Sequence, residues 1–223
     1  MDYSLFEREG WPWWSSPFNG QSRRLYNLCI LSYYLRPKFA IETGTYIGSS
    51  THLFQGLGVE KTYSFEIVEE YTSVARSRHQ SLIEQGLLEI ILGSSIDNLP
   101  AVLSGISNEQ SVVAYLDAHW NDYLPTTSEL NFLIEWGGPF IAIIDDFQVP
   151  NFSGYGFDQY GEMVVGPALV PAHPNLSLWL PNENDVLETG AKRGTGYVIS
   201  TGALAAIPPL VLDELKLSEF RIS

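Results

Sequence analysis

Residues 41–51 have the sequence Ile-Glu-Thr-Gly-Thr-Tyr-Ile-Gly-Ser-Ser-Thr, and this stretch decides the fold. The apolar pair Phe39 and Ala40 precedes it and predicts a buried strand, whereas residues 52–57 predict a helix ended by a glycine. Two glycines therefore lie where a strand gives way to a helix, and glycine allows a tight turn and the close approach of a ligand to the backbone. The hydroxyl side chains at residues 49–51 can cap the helix and leave free N–H groups facing a ligand.

The spacing of the glycines differs from the dinucleotide-binding fingerprint. Three residues separate Gly44 from Gly48, and Glu42 precedes them, whereas that fingerprint is G-x-G-x-x-G. A carboxylate at Glu42 would repel a pyrophosphate but suits a cationic ligand that carries an amino group. The next predicted strand ends in Glu66, where an acid is placed to accept hydrogen bonds from ribose hydroxyls. A glycine pair alone is often only a turn, but the succession of strand, turn, helix, strand and acid favours a nucleoside site.

The same residues resemble the first motif of class I S-adenosylmethionine-dependent methyltransferases. Among these, the stretch is similar to the metal-dependent O-methyltransferases of the catechol and caffeoyl-CoA type, including their natural-product sugar relatives. That family carries Glu-x-Gly-x-Tyr-x-Gly-x-Ser, and this chain matches it at Glu42, Gly44, Tyr46, Gly48 and Ser50. The resemblance implies that these residues and Glu66 bind S-adenosylmethionine. It also implies a Rossmann-like α/β fold with a doubly wound, mostly parallel sheet of seven strands.

A second turn follows the third predicted strand, residues 87–92. Its sequence, Gly93-Ser94-Ser95-Ile96, resembles the adenine-contacting turn of the same family. Ser94 and Ser95 could present hydroxyl and N–H groups to an adenine edge, although a helix N-cap explains the same serines equally well. The family often has a glutamine where this chain has Ile96, so an adenine contact there would be apolar.

Three acids follow the fourth and fifth predicted strands, which are the apolar runs 112–116 and 140–144. Asp117 ends the first run, and the pair Asp145 and Asp146 ends the second. The carboxyl ends of parallel strands meet at one sheet edge, and neighbouring strands lie about 5 Å apart, so we expect these acids to be gathered together. Uncompensated carboxylates repel, so either their pKa values rise or a cation lies between them, and oxygen-only ligation suits Mg²⁺.

The resemblance sharpens this expectation. Asp117 followed by Tyr-Leu-Pro at residues 123–125 is similar to the fourth-strand segment of the catechol enzymes, and the sugar-modifying relatives carry an Asp-Asp pair after strand five. It implies that Asp117, Asp145 and Asp146 bind Mg²⁺ or another divalent cation, with Asp117 also beside the cofactor. The catechol-type enzymes use a lysine just after the first metal aspartate as the base, and this chain has none there. His119 lies where the sugar-modifying relatives place an acidic base, and an imidazole accepts a proton at neutral pH, so His119 is the predicted base. A structural or ligand-contacting histidine is the alternative.

The composition is that of one globular α/β domain over residues 1–223, with 45% hydrophobic residues. A net charge of −14 argues against nucleic acid or an anionic membrane as a partner, because binding to phosphates needs basic patches. The single Cys29 excludes an internal disulfide, and its apolar surroundings predict a buried thiol. We find neither a signal peptide nor an apolar run long enough to span a membrane, so we expect a soluble, cytoplasmic protein.

Two regions have no regular hydrophobic period. Residues 1–20 contain tryptophans at positions 11, 13 and 14 and predict an N-terminal arm that covers the domain, forms a lid or joins a homodimer. Residues 151–195 are rich in Gly, Pro and Asn and predict an insertion after strand five at the rim of the active site, since loops of that length are usually functional. Residues 196–200 and 210–212 would supply the last strands.

These features predict an enzyme that moves a methyl group from S-adenosylmethionine to a hydroxyl of a small, diol-like acceptor with the help of a divalent cation. Two alternatives remain open. One is a metal-independent methyltransferase in which His119 acts alone as the base. The other is a module that binds S-adenosylmethionine on the same fold without catalysis, which the missing lysine suggests.

Overall fold

The computed structural model describes residues 16–121, 123–183 and 188–222. An eight-stranded sheet runs through them in the order β10-β8-β9-β5-β4-β1-β2-β3. Its parallel part consists of β1 Phe39–Thr43, β2 Lys61–Glu66, β3 Leu88–Leu92, β4 Val112–Leu116 and β5 Phe140–Ile144. The antiparallel edge is built from β8 Leu176–Pro181, β9 Gly196–Ser200 and β10 Leu217–Phe220. A separate hairpin pairs β6 Gln159–Tyr160 with β7 Met163–Val164.

Helices connect the strands. They are α1 Ser22–Leu35, α2 Glu69–Arg78, α3 Gln80–Glu84, α4 Ser95–Ser104, α5 Thr126–Trp136, α6 Thr201–Leu204 and α7 Pro209–Glu214. Three short 3-10 helices cover Pro17–Gly20, Thr51–Leu57 and Pro167–Leu169. Among the described residues, none of the helices combines the length and the apolar character of a membrane span.

The sheet agrees with the predicted doubly wound α/β fold. Strands β4 and β5 have the predicted bounds and are buried at every position, which explains their uninterrupted apolar sequences. The two larger clusters of buried side chains pack on the sheet, one around Leu99, Leu130 and Leu133 and the other around Leu28 and Leu31. The strand order reverses between β1 and β4, and in such sheets the ligand crevice opens at that point beyond the carboxyl ends of the strands.

The structure corrects three expectations about the chain. The sheet has eight strands rather than seven, because β8 lies inside the region expected to be only an irregular insertion. Residues 210–212 belong to helix α7, which begins at Pro209, a residue favoured in the first helical turn, and the last strand follows at Leu217–Phe220. Cys29 is exposed. Helix α1 buries the opposite face, including Arg24, Leu28 and Leu31.

Candidate functional site

The glycine turn after β1 has a left-handed backbone at three positions: φ is 83° at Gly44, 49° at Tyr46 and 79° at Gly48. A Cβ atom on Gly44 would lie 2.2 Å from the carbonyl oxygen of Asp117, so only glycine allows this turn to pack against the end of β4. A Cβ atom on Gly48 would lie 2.6 Å from the imidazole of His79. The turn therefore depends on both glycines, and it lies at the reversal of strand order.

Two glutamates hold the turn in place. The buried Glu42 accepts hydrogen bonds from the hydroxyls of Thr51 and Ser64, both at 2.6 Å, while its burial raises its pKa to about 7. Glu66 accepts hydrogen bonds from the backbone N–H groups of Tyr46 at 2.6 Å and Val68 at 2.9 Å. Burial raises the pKa of Glu66, and these backbone hydrogen bonds oppose that rise. Both acids line the cleft beyond the strand ends. Their predicted roles, Glu42 toward the amino group of S-adenosylmethionine and Glu66 toward its ribose, stay predictions.

The two serines after β3 have different surroundings. Ser94 caps helix α4 through the N–H of Ile96, and its hydroxyl also shares a 2.6 Å hydrogen bond with the hydroxyl of Tyr123. Ser95 is buried, and its hydroxyl donates to Glu129 at 2.5 Å. The capping role is thus observed at Ser94. Because the Ser95 hydroxyl is engaged by Glu129, an adenine contact at Ser95 would use its backbone.

The structure differs from the prediction at Asp145. This residue is fully buried, and its carboxylate forms an ion pair with the buried guanidinium of Arg24 and accepts a hydrogen bond from the hydroxyl of Tyr115. Asn19 donates to it at 3.1 Å, and the backbone N–H of Asp146 donates at 2.6 Å. Both carboxylate oxygens are therefore used inside the protein, which leaves Asp145 poorly suited as a metal ligand.

Its neighbour Asp146 turns toward the cleft. The backbone of Asp146 is left-handed, with φ of 50°, so successive residues direct their carboxylates differently. One oxygen of Asp146 accepts a 2.7 Å hydrogen bond from Nε of Arg193, whose Nη2 pairs with Asp158. Burial opposes ionisation of Asp146, but the interactions with His119 and Arg193 prevail and lower its pKa.

His119 lies in the middle of these acids. Its Nε2 is 4.0 Å from Asp117 Oδ1, 3.9 Å from Asp146 Oδ2 and 3.7 Å from Asp158 Oδ2. Its Nδ1 is buried and has no hydrogen-bond partner among the described residues. Burial, together with the charges of Asp145 and Asp146, raises the pKa of Asp117. The atoms that Asp117, His119 and Asp146 could offer to a metal ion all lie within 4.8 Å of one another.

One cleft of about 820 Å³ joins these parts. All the predicted cofactor, metal and catalytic residues line it except Gly48. The described end of the N-terminal arm closes one side, because the backbone N–H of Phe18 donates to the hydroxyl of Ser50 at 2.9 Å. Residues 1–15, with the three tryptophans, lie outside the described residues, so the expected lid or dimer arm stays a prediction.

Sequence reasoning missed several residues of this cleft. Asp158 and Arg193 come from the expected insertion. Because its sequence has no regular hydrophobic period, the directions of its side chains could not be predicted. Asn19 comes from the arm. Arg24, which lies behind the cleft rather than in its lining, was also missed. It does carry a sequence signal, because it occupies the apolar face of helix α1, one turn before Leu28, and a charge there needs a buried partner.

Known structures share this fold. One is an O-methyltransferase from Bacillus cereus in complex with SAH, with 18% identity, a TM-score of 0.53 and 80% of each chain covered. Another is the cofactor-bound Rv0187 from MTB, with 20% identity, a TM-score of 0.51, and 81% of this chain and 80% of that chain covered. A spermidine synthase from Thermotoga maritima has 11% identity and a TM-score of 0.52, with 90% of this chain and 67% of that chain covered.

No protein-family model matches the chain, and no curated protein sequence matches it. The structural likeness establishes that the chain has the Rossmann-like fold of the class I methyltransferases. The spermidine synthase shows that this fold carries more than one activity, so what the protein does has to be argued from the cleft.

Proposed function

We propose that the protein transfers a methyl group from S-adenosylmethionine to a hydroxyl of a small, diol-like acceptor. The observation that supports this most is that one cleft joins two walls. The donor wall consists of the glycine turn with Glu42 and Glu66, and the acceptor wall consists of His119 with the acids Asp117, Asp146 and Asp158. The cleft volume of about 820 Å³ suits a cofactor and a small acceptor together, since ligand pockets commonly measure roughly 300–1,000 Å³.

The donor wall would bind the cofactor largely through the glycine turn. Glu42 would face the amino group of S-adenosylmethionine, and Glu66 would accept hydrogen bonds from its ribose. Ile67 and Val68 follow directly, are 60% and 40% exposed and line the cleft, so they would offer an apolar face to the adenine, with Ser94 near its edge. The turn at Gly44, Tyr46 and Ser50 lets the cofactor approach the backbone.

The acceptor wall would carry out the chemistry. His119 would take the proton of the acceptor hydroxyl, and the resulting oxygen would attack the methyl group in line. An O–C bond would form as the C–S bond of S-adenosylmethionine breaks, with S-adenosylhomocysteine as the leaving group. Three carboxylate oxygens at 3.7–4.0 Å from Nε2 stabilise the imidazolium that this transfer creates. The rest of the rate acceleration would come from holding the acceptor and the methyl donor in one reactive alignment.

The acids of this wall also fit a divalent cation. Asp117 and Asp146 place oxygen atoms within 4.8 Å of each other, and Oδ2 of Asp146 points toward His119 rather than toward Arg193. Oxygen ligands of this kind suit Mg²⁺ or Mn²⁺. When bound, such an ion supplies Lewis acidity that lowers the pKa of an acceptor hydroxyl. We therefore assign Asp117 and Asp146 as the residues that would hold it and leave Asp145 out of the set.

One observation favours a metal-independent methyltransferase as the second candidate. Arg193 already supplies a positive charge to Asp146 and Asp158, so the cluster is partly neutralised by the protein itself. In that case His119 would act as the base with the carboxylates alone.

The test is a methyl-transfer assay with labelled S-adenosylmethionine and a panel of catechols and sugar diols. The cation-dependent enzyme predicts turnover that a chelator abolishes and that Mg²⁺ or Mn²⁺ restores. Turnover that resists the chelator selects the metal-independent candidate. Saturable cofactor binding without turnover of any acceptor contradicts both enzymes and leaves a binding module.

A further inference from the structure

Arg193 reaches into the acceptor wall from the last part of the insertion. Its Nε donates to Asp146 Oδ1 at 2.7 Å, and its Nη2 pairs with Asp158 Oδ1. The side chain retains 26% exposure, so this charge lies at the edge of the cleft rather than in the core. One guanidinium thus bridges two carboxylates that come from different segments of the chain.

The position of Arg193 is fixed by its surroundings. Its backbone N–H donates to Gln21 Oε1 at 2.7 Å, and Gln21 Nε2 donates to the Arg193 carbonyl at 2.8 Å, so one amide side chain holds the residue from both sides. The stem packs on Gly156, where a Cβ atom would lie 3.3 Å from Cδ and 3.1 Å from Nη1 of Arg193. A surface arginine with an accidental ion pair would lack this support.

The charges of the cleft make this arginine important. Six carboxylates line the cleft, those of Glu42, Glu66, Asp117, Asp145, Asp146 and Asp158. Arg24 compensates Asp145 from behind the wall. Among the described residues that line the cleft, Arg193 is the sole lysine or arginine, and it meets the acids that surround His119.

We propose that Arg193 is the built-in counter-cation of the acceptor wall and that it competes with a divalent cation for Asp146. This inference rests on the proposed function, in which Asp146 holds such an ion. When the ion binds Oδ2 of Asp146, its charge would repel the guanidinium from Oδ1 of the same carboxylate. Arg193 would then remain paired with Asp158 through Nη2. Asp158 therefore serves as the residue that retains the displaced arginine.

The experiment is calorimetric titration of the full-length protein with Mn²⁺, comparing the natural chain with Arg193→Gln and Lys192→Gln. The two variants remove the same charge from adjacent residues, but Lys192 is exposed and does not line the cleft. We expect Arg193→Gln to bind Mn²⁺ about tenfold more tightly, since a competing charge at contact distance is removed. Lys192→Gln should remain within about twofold, because an exposed charge is screened by solvent and salt.

Equal or weaker Mn²⁺ binding by Arg193→Gln would overturn the inference, as would the absence of Mn²⁺ binding in all three proteins. The proposed methyl transfer is judged separately, by cofactor binding and by turnover in the same preparations. If circular dichroism shows that Arg193→Gln fails to fold, Arg193→Lys takes its place. A lysine keeps the charge but loses the fork, so Mn²⁺ should bind about threefold more tightly, and unchanged binding would contradict the inference.

Discussion

The two walls of the cleft are built in different ways. The donor wall consists of Glu42 in β1, the glycine turn that follows β1, and Glu66 at the end of β2, and its shape comes from left-handed backbone and hydrogen bonds to the backbone. The acceptor wall brings together side chains from the strand ends, the insertion and the N-terminal segment, and its shape comes from charges that neutralise one another. A local motif specifies the first wall, whereas the tertiary fold specifies the second.

Asp145 and Asp146 are adjacent in sequence but differ in their surroundings. Asp145 is a buried partner of Arg24 and fixes the backbone N–H of Asp146, while Asp146 faces the cleft. A residue of the core and a residue of the site are thus adjacent in sequence. The variants described below test the two walls, and the two aspartates, independently of each other.

The largest effect is expected at His119. His119→Asn removes the proposed base, so kcat should fall by about 10²–10⁴-fold while the dissociation constant of S-adenosylmethionine changes little. His173→Asn is the control, because His173 lies outside the cleft. Steady-state kinetics and a cofactor titration measure both quantities, and an unchanged kcat would remove His119 from the chemistry.

Asp145 is expected to matter for folding. Asp145→Asn leaves the buried Arg24 without its charge partner, so the free energy of unfolding in urea should drop by about 3–5 kcal/mol. Asp146→Asn should cost far less stability and should instead weaken Mn²⁺ binding, since its carboxylate lines the cleft. If Asp145→Asn were well folded and failed to bind Mn²⁺, the original expectation that Asp145 is a metal ligand would be restored.

Alanine variants of two glycines distinguish the cost of a left-handed backbone from the cost of a steric clash. Gly44→Ala and Gly58→Ala both place a Cβ atom on a left-handed residue, which costs about 1–2 kcal/mol. Only Gly44→Ala also drives that atom to 2.2 Å from the carbonyl oxygen of Asp117, whereas nothing lies within 4 Å at Gly58. Cofactor binding should be lost in the first variant and kept in the second. Equal affinities for S-adenosylmethionine would show that the donor wall does not depend on this turn.

The smallest effect concerns pH. Burial raises the pKa of Glu129 to about 7, above its value of 4.5 in an unfolded chain, so the folded protein holds this proton more tightly. The associated stability is fully present below pH 4.5 and is lost as the pH rises through 7. Glu129 should therefore lower the free energy of unfolding by up to about 1.4 kcal/mol per pH unit in this window, in addition to the contribution of Glu42, whose pKa burial also raises to about 7. Glu129→Gln should flatten that slope, and parallel curves for the two proteins would contradict the assignment.

The contrast between the walls explains what the sequence could predict. The glycine turn, Glu66 and the strands β4 and β5 were predictable, because a turn conformation and an uninterrupted apolar run are both encoded by nearby residues. The gathering of Asp117 and Asp146 followed from the rule that parallel strands end at one sheet edge. The separation of Asp145 from them could not be predicted, since it depends on Arg24 arriving from a helix far away in the chain. Asp158 and Arg193 lie in a segment without a hydrophobic period, so their directions are fixed only by tertiary contacts.

The structure of the protein with bound S-adenosylhomocysteine tests the central claim most directly. The proposed function predicts the ribose at Glu66, the adenine against Ile67 and Val68, and the sulfur directed across Asp117 toward His119. A sulfur atom directed away from His119, or a cofactor bound outside this cleft, would contradict it.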